Sequence, residues 1–193
     1  MRKILIRLFI ALGALYAGIC TFFYFVQDAM VFPAPKHFEA STPAAANLAF
    51  EDLHIPVNGT EQIHAWYIPA DAPSDKVLLF FHGNGYCIEQ TVNAPVGELV
   101  PLHNTGANVL MADYRGYGTS SPGTATEAKV DEDARAALRY LTQERKVPLH
   151  NIIIVGRSIG TGVATELAKE NPNAGGVILI SPFTSTIDIG KTV

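Results

Sequence analysis

The sequence predicts an α/β protein with a mostly parallel sheet, preceded by one helix long enough to cross a membrane. Three observations carry this expectation. Short continuous apolar runs, the mark of strands covered on both faces, recur at 76–81, 107–112, 151–155 and 176–180. Helix-like stretches lie between successive runs, the alternation that a parallel sheet requires. The chain opens with an uncharged apolar segment, Leu8–Val26.

That opening segment is LFIALGALYAGICTFFYFV. As a helix it measures about 28 Å at 1.5 Å per residue, enough to span a hydrocarbon core of about 30 Å. Arg2, Lys3 and Arg7 precede it, and the next basic residue is Lys36. The positive-inside rule then places the N-terminus in the cytoplasm and the rest on the periplasmic, extracytoplasmic or lumenal side. A cleaved signal peptide would have a shorter apolar core ending in small residues. This run is long and ends in aromatics, which favours a retained anchor. Residues 1–28 are therefore read as N-terminus and anchor, and residues 29–46, rich in Pro and Ala, as an extended linker. The domain proper is expected over 47–193.

Ala49–Pro56 and Ile63–Pro69 alternate apolar and polar residues, with Asn58-Gly59 as a turn signal between them. They predict an antiparallel hairpin. Glu89–His103 is a weaker helix, interrupted by Pro95. Thr126–Arg145 places Val130, Ala134, Ala137, Leu138 and Leu141 on one stripe, with acids near its N-terminus. Ile159–Glu170 predicts a shorter helix that begins among glycines.

Composition narrows the function. Charged residues make up only 17% and hydrophobic residues 48%, which excludes a disordered chain. Three of the 14 basic residues lie before the apolar run and all 18 acids after it, so the remainder carries a net −7. No basic stripe exists to neutralise phosphates, which argues against a nucleic-acid partner. Two cysteines, Cys20 and Cys87, cannot build a disulfide scaffold, and lone Cys87 reads as a small loop residue. No metal-binding motif of H-E-x-x-H type occurs, so no metal and no cofactor are expected.

Chemistry in such sheets sits beyond the carboxyl ends of the strands. Gly156-Arg157-Ser158-Ile159-Gly160 matches G-x-S-x-G between an apolar strand and a helix. A serine on so sharp a turn holds its hydroxyl clear of the sheet, with only small residues tolerated two before and two after it. The Ile159 N–H then opens a helix and can hold an oxyanion. A second donor is expected from His82-Gly83-Asn84-Gly85, at the N–H of Asn84 or alternatively Gly85. His82 reads as a loop-shaping histidine. Asp113 and Arg115, in D-Y-R-G-Y-G, read as an ion pair bracing a glycine turn at the sheet's edge.

Together these residues resemble the α/β-hydrolase superfamily, in particular its membrane-anchored branch. The similar stretches are FVQDAMVFPAP (Phe25–Pro35), FHGNGYC, DYRGYGTSS with Pro122 before Gly123, GRSIGTG and SPFTS at 181–185. The resemblance implies a serine hydrolase acting on ester, thioester or amide bonds of a small-molecule or lipid-like acyl substrate, without cofactor. Ser158 would be the nucleophile, with Ile159 and Asn84 as oxyanion donors. It also implies a triad ordered Ser, then Asp or Glu, then His. Here all six histidines precede Ser158, and only Glu166, Glu170 and Asp188 follow as acids. The chain thus corresponds to strands one to six of eight, a C-terminally truncated domain expected to be nearly inert. The run at 176–180 should form an unpaired sheet edge.

Two other readings compete. A membrane-tethered hydrolase fold could bind without catalysis. Gly156, Gly160 and Gly162 also resemble the nucleotide loop of short-chain dehydrogenases. Against the latter, the next strand ends in Ser181 with no acid for a ribose, and no Tyr-x-x-x-Lys occurs.

Overall fold

The computed structural model describes residues 2–35, 41–92 and 97–185. Pro95, Asp188 and residues 36–40 of the expected linker lie outside these. Helix α1 (Arg2–Val31) has no buried residue and is the one described helix long and apolar enough to cross a membrane. Six strands follow: β1 (Glu51–Pro56), β2 (Gln62–Ile68), β3 (Val77–Phe81), β4 (Asn108–Ala112), β5 (Ile152–Arg157) and β6 (Gly176–Ile180). They form one sheet in the order β1-β2-β4-β3-β5-β6. The β1/β2 and β2/β4 pairs are antiparallel, and the others are parallel. The hairpin forms where the Asn58-Gly59 signal stands. Asn58 Oδ1 accepts from the N–H groups of Thr60 and Glu61, at 3.2 and 3.0 Å, and closes the turn.

Helices α2 (Leu99–His103), α3 (Glu127–Arg139) and α4 (Gly160–Glu170) complete the fold. Thr126 caps α3 in an extended conformation, its Oγ1 accepting from Lys129 N. A π-helical turn, Tyr140–Glu144, then takes the place of the last α-helical turns that the periodicity predicts. The core divides between the two faces of the sheet. Leu79, Phe81, Leu110 and Ile154 pack with Val130, Ala134, Leu138, Val163 and Leu167 from α3 and α4. Trp66, Leu78, Phe80, Val109 and Met111 face Leu99 and Leu102 on the other side. All five residues of β3 are buried, as its unbroken apolar run requires.

Three sequence expectations need correction. The segment 29–46 is not a plain extended linker. α1 continues without a break to Val31, and Phe32 enters the core, because the apolar pattern FVQDAMVF persists beyond the aromatic cluster. Pro43–Ala46 then forms a 3-10 turn with Pro43 buried. Of the helix expected over 89–103, the described residues hold a 3-10 turn at Ile88–Gln90 and the five residues of α2. Finally, β6 is not covered on both faces. Val177, Ile178 and Leu179 are 45%, 45% and 41% exposed, since β6 has β5 as its one described neighbour.

The register fixes where chemistry can occur. Phe81 pairs with Ala112 on one side and Gly156 on the other. The residues that leave these strands, His82, Asp113 and Ser158, are therefore delivered to one end of the sheet.

Candidate active site

Ser158 follows β5 immediately and has a φ of 50°, left-handed for a residue with a Cβ. Such a conformation costs about 1–3 kcal/mol and persists only where its surroundings dictate it. They do so here. Ser158 N–H donates to Ile180 O at 2.9 Å, and Ser158 O accepts from Thr161 N at 2.9 Å and Thr161 Oγ1 at 2.6 Å. The two flanking glycines are needed for space. A Cβ on Gly156 would stand 2.2 Å from Gly160 O, and one on Gly160 would stand 2.3 Å from Phe81 O. Turn and helix can press together only because both positions lack side chains.

The His82–Gly85 loop lies against this turn. A Cβ on Gly83 would meet Ser158 Cβ at 3.3 Å. Asn84 and Gly85 are exposed, Gly85 with a φ of 78°. Asn84 Nδ2 donates to Val31 O at 3.4 Å, joining the loop to the end of α1. Gly83 N–H is already committed to the Tyr86 hydroxyl at 2.9 Å. Tyr86 donates in turn to Glu98 Oε1 at 3.1 Å, and Arg157 Nη1 pairs with the same oxygen. Burial pushes the Tyr86 hydroxyl up to about 12 and keeps it a donor. Burial likewise raises the Glu98 carboxyl, although Arg157 pulls against it. This chain locks the loop to the serine turn. Its members Tyr86 and Glu98 escaped the sequence reading because neither belongs to a catalytic motif.

His82 is fully buried, its Nδ1 2.6 Å from Gly83 O and its Nε2 3.2 Å from Asp113 Oδ1. Asp113 does not pair with Arg115, contrary to the expectation, and it leaves a central strand. Its carboxylate turns inward, accepting from Ile88 N at 2.9 Å and lying 3.8 Å from His64 Nδ1. Burial pushes the Asp113 carboxyl up, but His64 and His82 hold it below the usual range. Arg115 turns to α3 instead. It meets Asp133 and Glu132 at 2.6 Å each and also Glu61 at 2.6 Å. Burial pulls the His64 imidazole down, yet Asp113, Glu89 and Asp52 carry it up to about 10. Cys87 is buried, and burial pushes its thiol up.

A cleft of about 700 Å³ opens beside the serine turn. Asp28 and Val31 of α1, Glu127 and Asp131 of α3, and Ile159 and Glu166 line it, with Phe183. Among the described residues, no hydrogen bond engages the N–H of Ile159 or Asn84, or the Oγ of Ser158.

The sharp serine turn thus stands at the carboxyl end of a central parallel strand and faces a glycine loop after the neighbouring strand, the strand–turn–helix setting that a G-x-S-x-G sequence requires. The model of the alpha/beta hydrolase fold family matches residues 76–193, and the chain belongs to that family. It is 30% identical over 182 residues to the alpha/beta hydrolase domain-containing protein WAV2 of Arabidopsis thaliana, covering 92% of this chain and 58% of the relative. It is 29% identical to protein bem46 of Schizosaccharomyces pombe, covering 95% and 60%. The chain thus spans about three-fifths of the length of these curated relatives. Among solved structures, the Pyrococcus furiosus esterase Pf2001 superposes with a TM-score of 0.62 at 23% identity, over 74% of this chain and 55% of that one. An alpha-beta hydrolase from Vibrio vulnificus gives 0.64 at 24%, over 79% and 55%. The likeness to these structures concerns the fold.

Proposed function

We propose that the chain carries the nucleophile half of a serine hydrolase acting on ester, thioester or amide bonds. The observation that carries this reading is the left-handed Ser158, held between two sterically required glycines against the Gly83 loop. In this reading, Ser158 Oγ attacks the acyl carbonyl and passes its proton to a base. The carbonyl oxygen becomes an oxyanion, which accepts from the N–H of Ile159 and of Asn84, with Gly85 as the alternative donor. Collapse expels the alcohol, thiol or amine, which takes the proton, and water then hydrolyses the acyl-serine. No histidine follows His150 in the sequence. We place the base and the third triad member outside these 193 residues.

The cleft supports a lipid-like acyl substrate. It runs from Ile159 to the end of α1, so an acyl chain seated in it would lie beside the proposed membrane anchor. Three acidic side chains from α3 and α4, with Asp28, make it unfavourable for an anionic group. In the same reading α1 is a retained anchor with its N-terminus in the cytoplasm and the domain on the opposite side. A second reading, a tethered fold that binds without catalysis, is favoured by the lack of any hydrogen-bonded base at Ser158 Oγ among the described residues.

A fluorophosphonate probe separates the two. A serine without its base is a poor nucleophile. The 193-residue chain should therefore label no faster than Ser158→Ala. The chain extended by the sequence encoded beyond codon 193 should label stoichiometrically, with the adduct on Ser158. If labelling of that longer chain survives Ser158→Ala, or never occurs, the hydrolase reading fails.

A further inference from the structure

His64 of β2, Glu89 of the 3-10 turn after β3 and Asp113 after β4 meet inside the protein, with side chains 5%, 6% and 0% exposed. The Nδ1 of His64 lies 3.3 Å from Glu89 Oε1 and 3.8 Å from Asp113 Oδ2, and one ligand atom from each residue lies within 4.8 Å of the others. Pairs of ligand atoms on a tetrahedral zinc, with bonds of about 2.0 Å, stand about 3.3 Å apart. His64 Nδ1, both oxygens of Glu89 and Asp113 Oδ2 make no hydrogen bond among the described residues. All are aimed into the same small space.

Three further features fit a cation there. His64 Nε2 lies 2.6 Å from Asp52 Oδ1. That carboxylate can hold the proton on Nε2 while an ion displaces the one on Nδ1, the outer partner that metal-ligating histidines commonly have. Asp113 is oriented by Ile88 N–H on its other oxygen. Gly118 keeps room beside both acids, since a Cβ there would lie 2.1 Å from Asp113 Oδ2 and 2.9 Å from Glu89 Oε2. Charge points the same way. Among the described residues no Lys or Arg pairs with Glu89 or Asp113, and Arg115 is committed to Asp133, Glu132 and Glu61. Besides the His64 and His82 imidazoles, no positive side chain faces the two buried carboxylates among the described residues, and a divalent ion in place of the Nδ1 proton would compensate both.

We propose that His64 Nδ1, Glu89 and Asp113 Oδ2 bind one first-row divalent cation, of which zinc is the representative. The ion clips β2, β4 and the turn after β3 together. It thereby steadies the Asn84 loop from below, away from the reacting groups. This site does not depend on the role given to Ser158.

The test uses the whole chain in detergent micelles, stripped with a chelator, refolded with zinc chloride and desalted, with bound zinc counted by mass spectrometry. One zinc per chain is expected, with a higher unfolding temperature than the stripped chain. Glu89→Gln, close to isosteric, should weaken zinc binding by about 10-fold or more and abolish the thermal shift. His150→Ala, exposed before β5 at the opposite end of the sheet, should leave both intact. Cobalt in place of zinc should show the visible bands of a low-symmetry site. Substoichiometric zinc in the wild-type chain overturns the proposal whatever the variants do. So does equal zinc retention by Glu89→Gln, or an imidazolium nitrogen signature for His64 in excess zinc, which would place a proton where the ion should be.

Discussion

Gly160 shows at a single position how the serine turn is built. Its missing side chain lets the first turn of α4 lie on the carbonyls of Phe81 and His82, 2.3 and 2.6 Å from where a Cβ would stand. Both neighbours are backbone and cannot rotate away. Gly160→Ala should therefore destabilise by about 1–3 kcal/mol or more, read as a lower urea midpoint from the fluorescence of Trp66. Trp66 is the one tryptophan and is 1% exposed, so it reports the core directly. Gly162 has open space around it and should accept alanine without loss. The G-x-S-x-G spacing made this turn legible in the sequence, because steric need and motif coincide. His64 and Glu89 were not legible. They sit in separate segments, and only the β2/β4 pairing and the turn after β3 bring them to Asp113.

Among the elements, α3 is held by a device that the sequence misassigned. Arg115 is 2% exposed and sends its Nε and backbone N–H to Asp133, while its two Nη groups reach Glu61, Glu132 and the Lys129 carbonyl. It welds α3 to the loop after β4 and to the β1/β2 turn. Asp133 was the available clue, an acid beside Val130 and Ala137 on a stripe that packs into the core. A buried acid within an apolar stripe demands a buried partner. Arg115→Ala leaves Asp133 buried and unpaired and should cost about 3–5 kcal/mol. Arg115→Lys should restore little, since an ammonium cannot reproduce the planar fork. Measured urea midpoints for the two variants check this, and a lysine variant as stable as wild type would refute the clamp. β3, β4 and β5 were read to within about two residues because each carries a short apolar run, and β2 because its alternation follows the Asn58-Gly59 turn signal.

For the molecule as a whole, the two edges of the sheet differ in chemistry. Among the described residues β1 and β6 have one neighbour each, but β1 exposes Glu51, Asp52 and His54, with Glu51 paired to Arg145, whereas β6 exposes Val177, Ile178 and Leu179. Such an edge is a template for another strand. Micelle-free preparations lacking α1 should self-associate with concentration. Ile178→Lys should shift sedimentation toward monomer while moving the Trp66 midpoint by no more than about 0.5 kcal/mol. Unchanged association would point to a different surface. The other end of the molecule has its own geometry. Val31 closes α1, and Phe32 is already in the core, with the Asn84 amide resting on the Val31 carbonyl. A joint of this kind has no slack. On the proposed reading of α1 as a membrane anchor, the cleft would keep a constant height and bearing over the lipid surface, and a molecule would reach it by sliding sideways through the leaflet, not by waiting for a swinging domain.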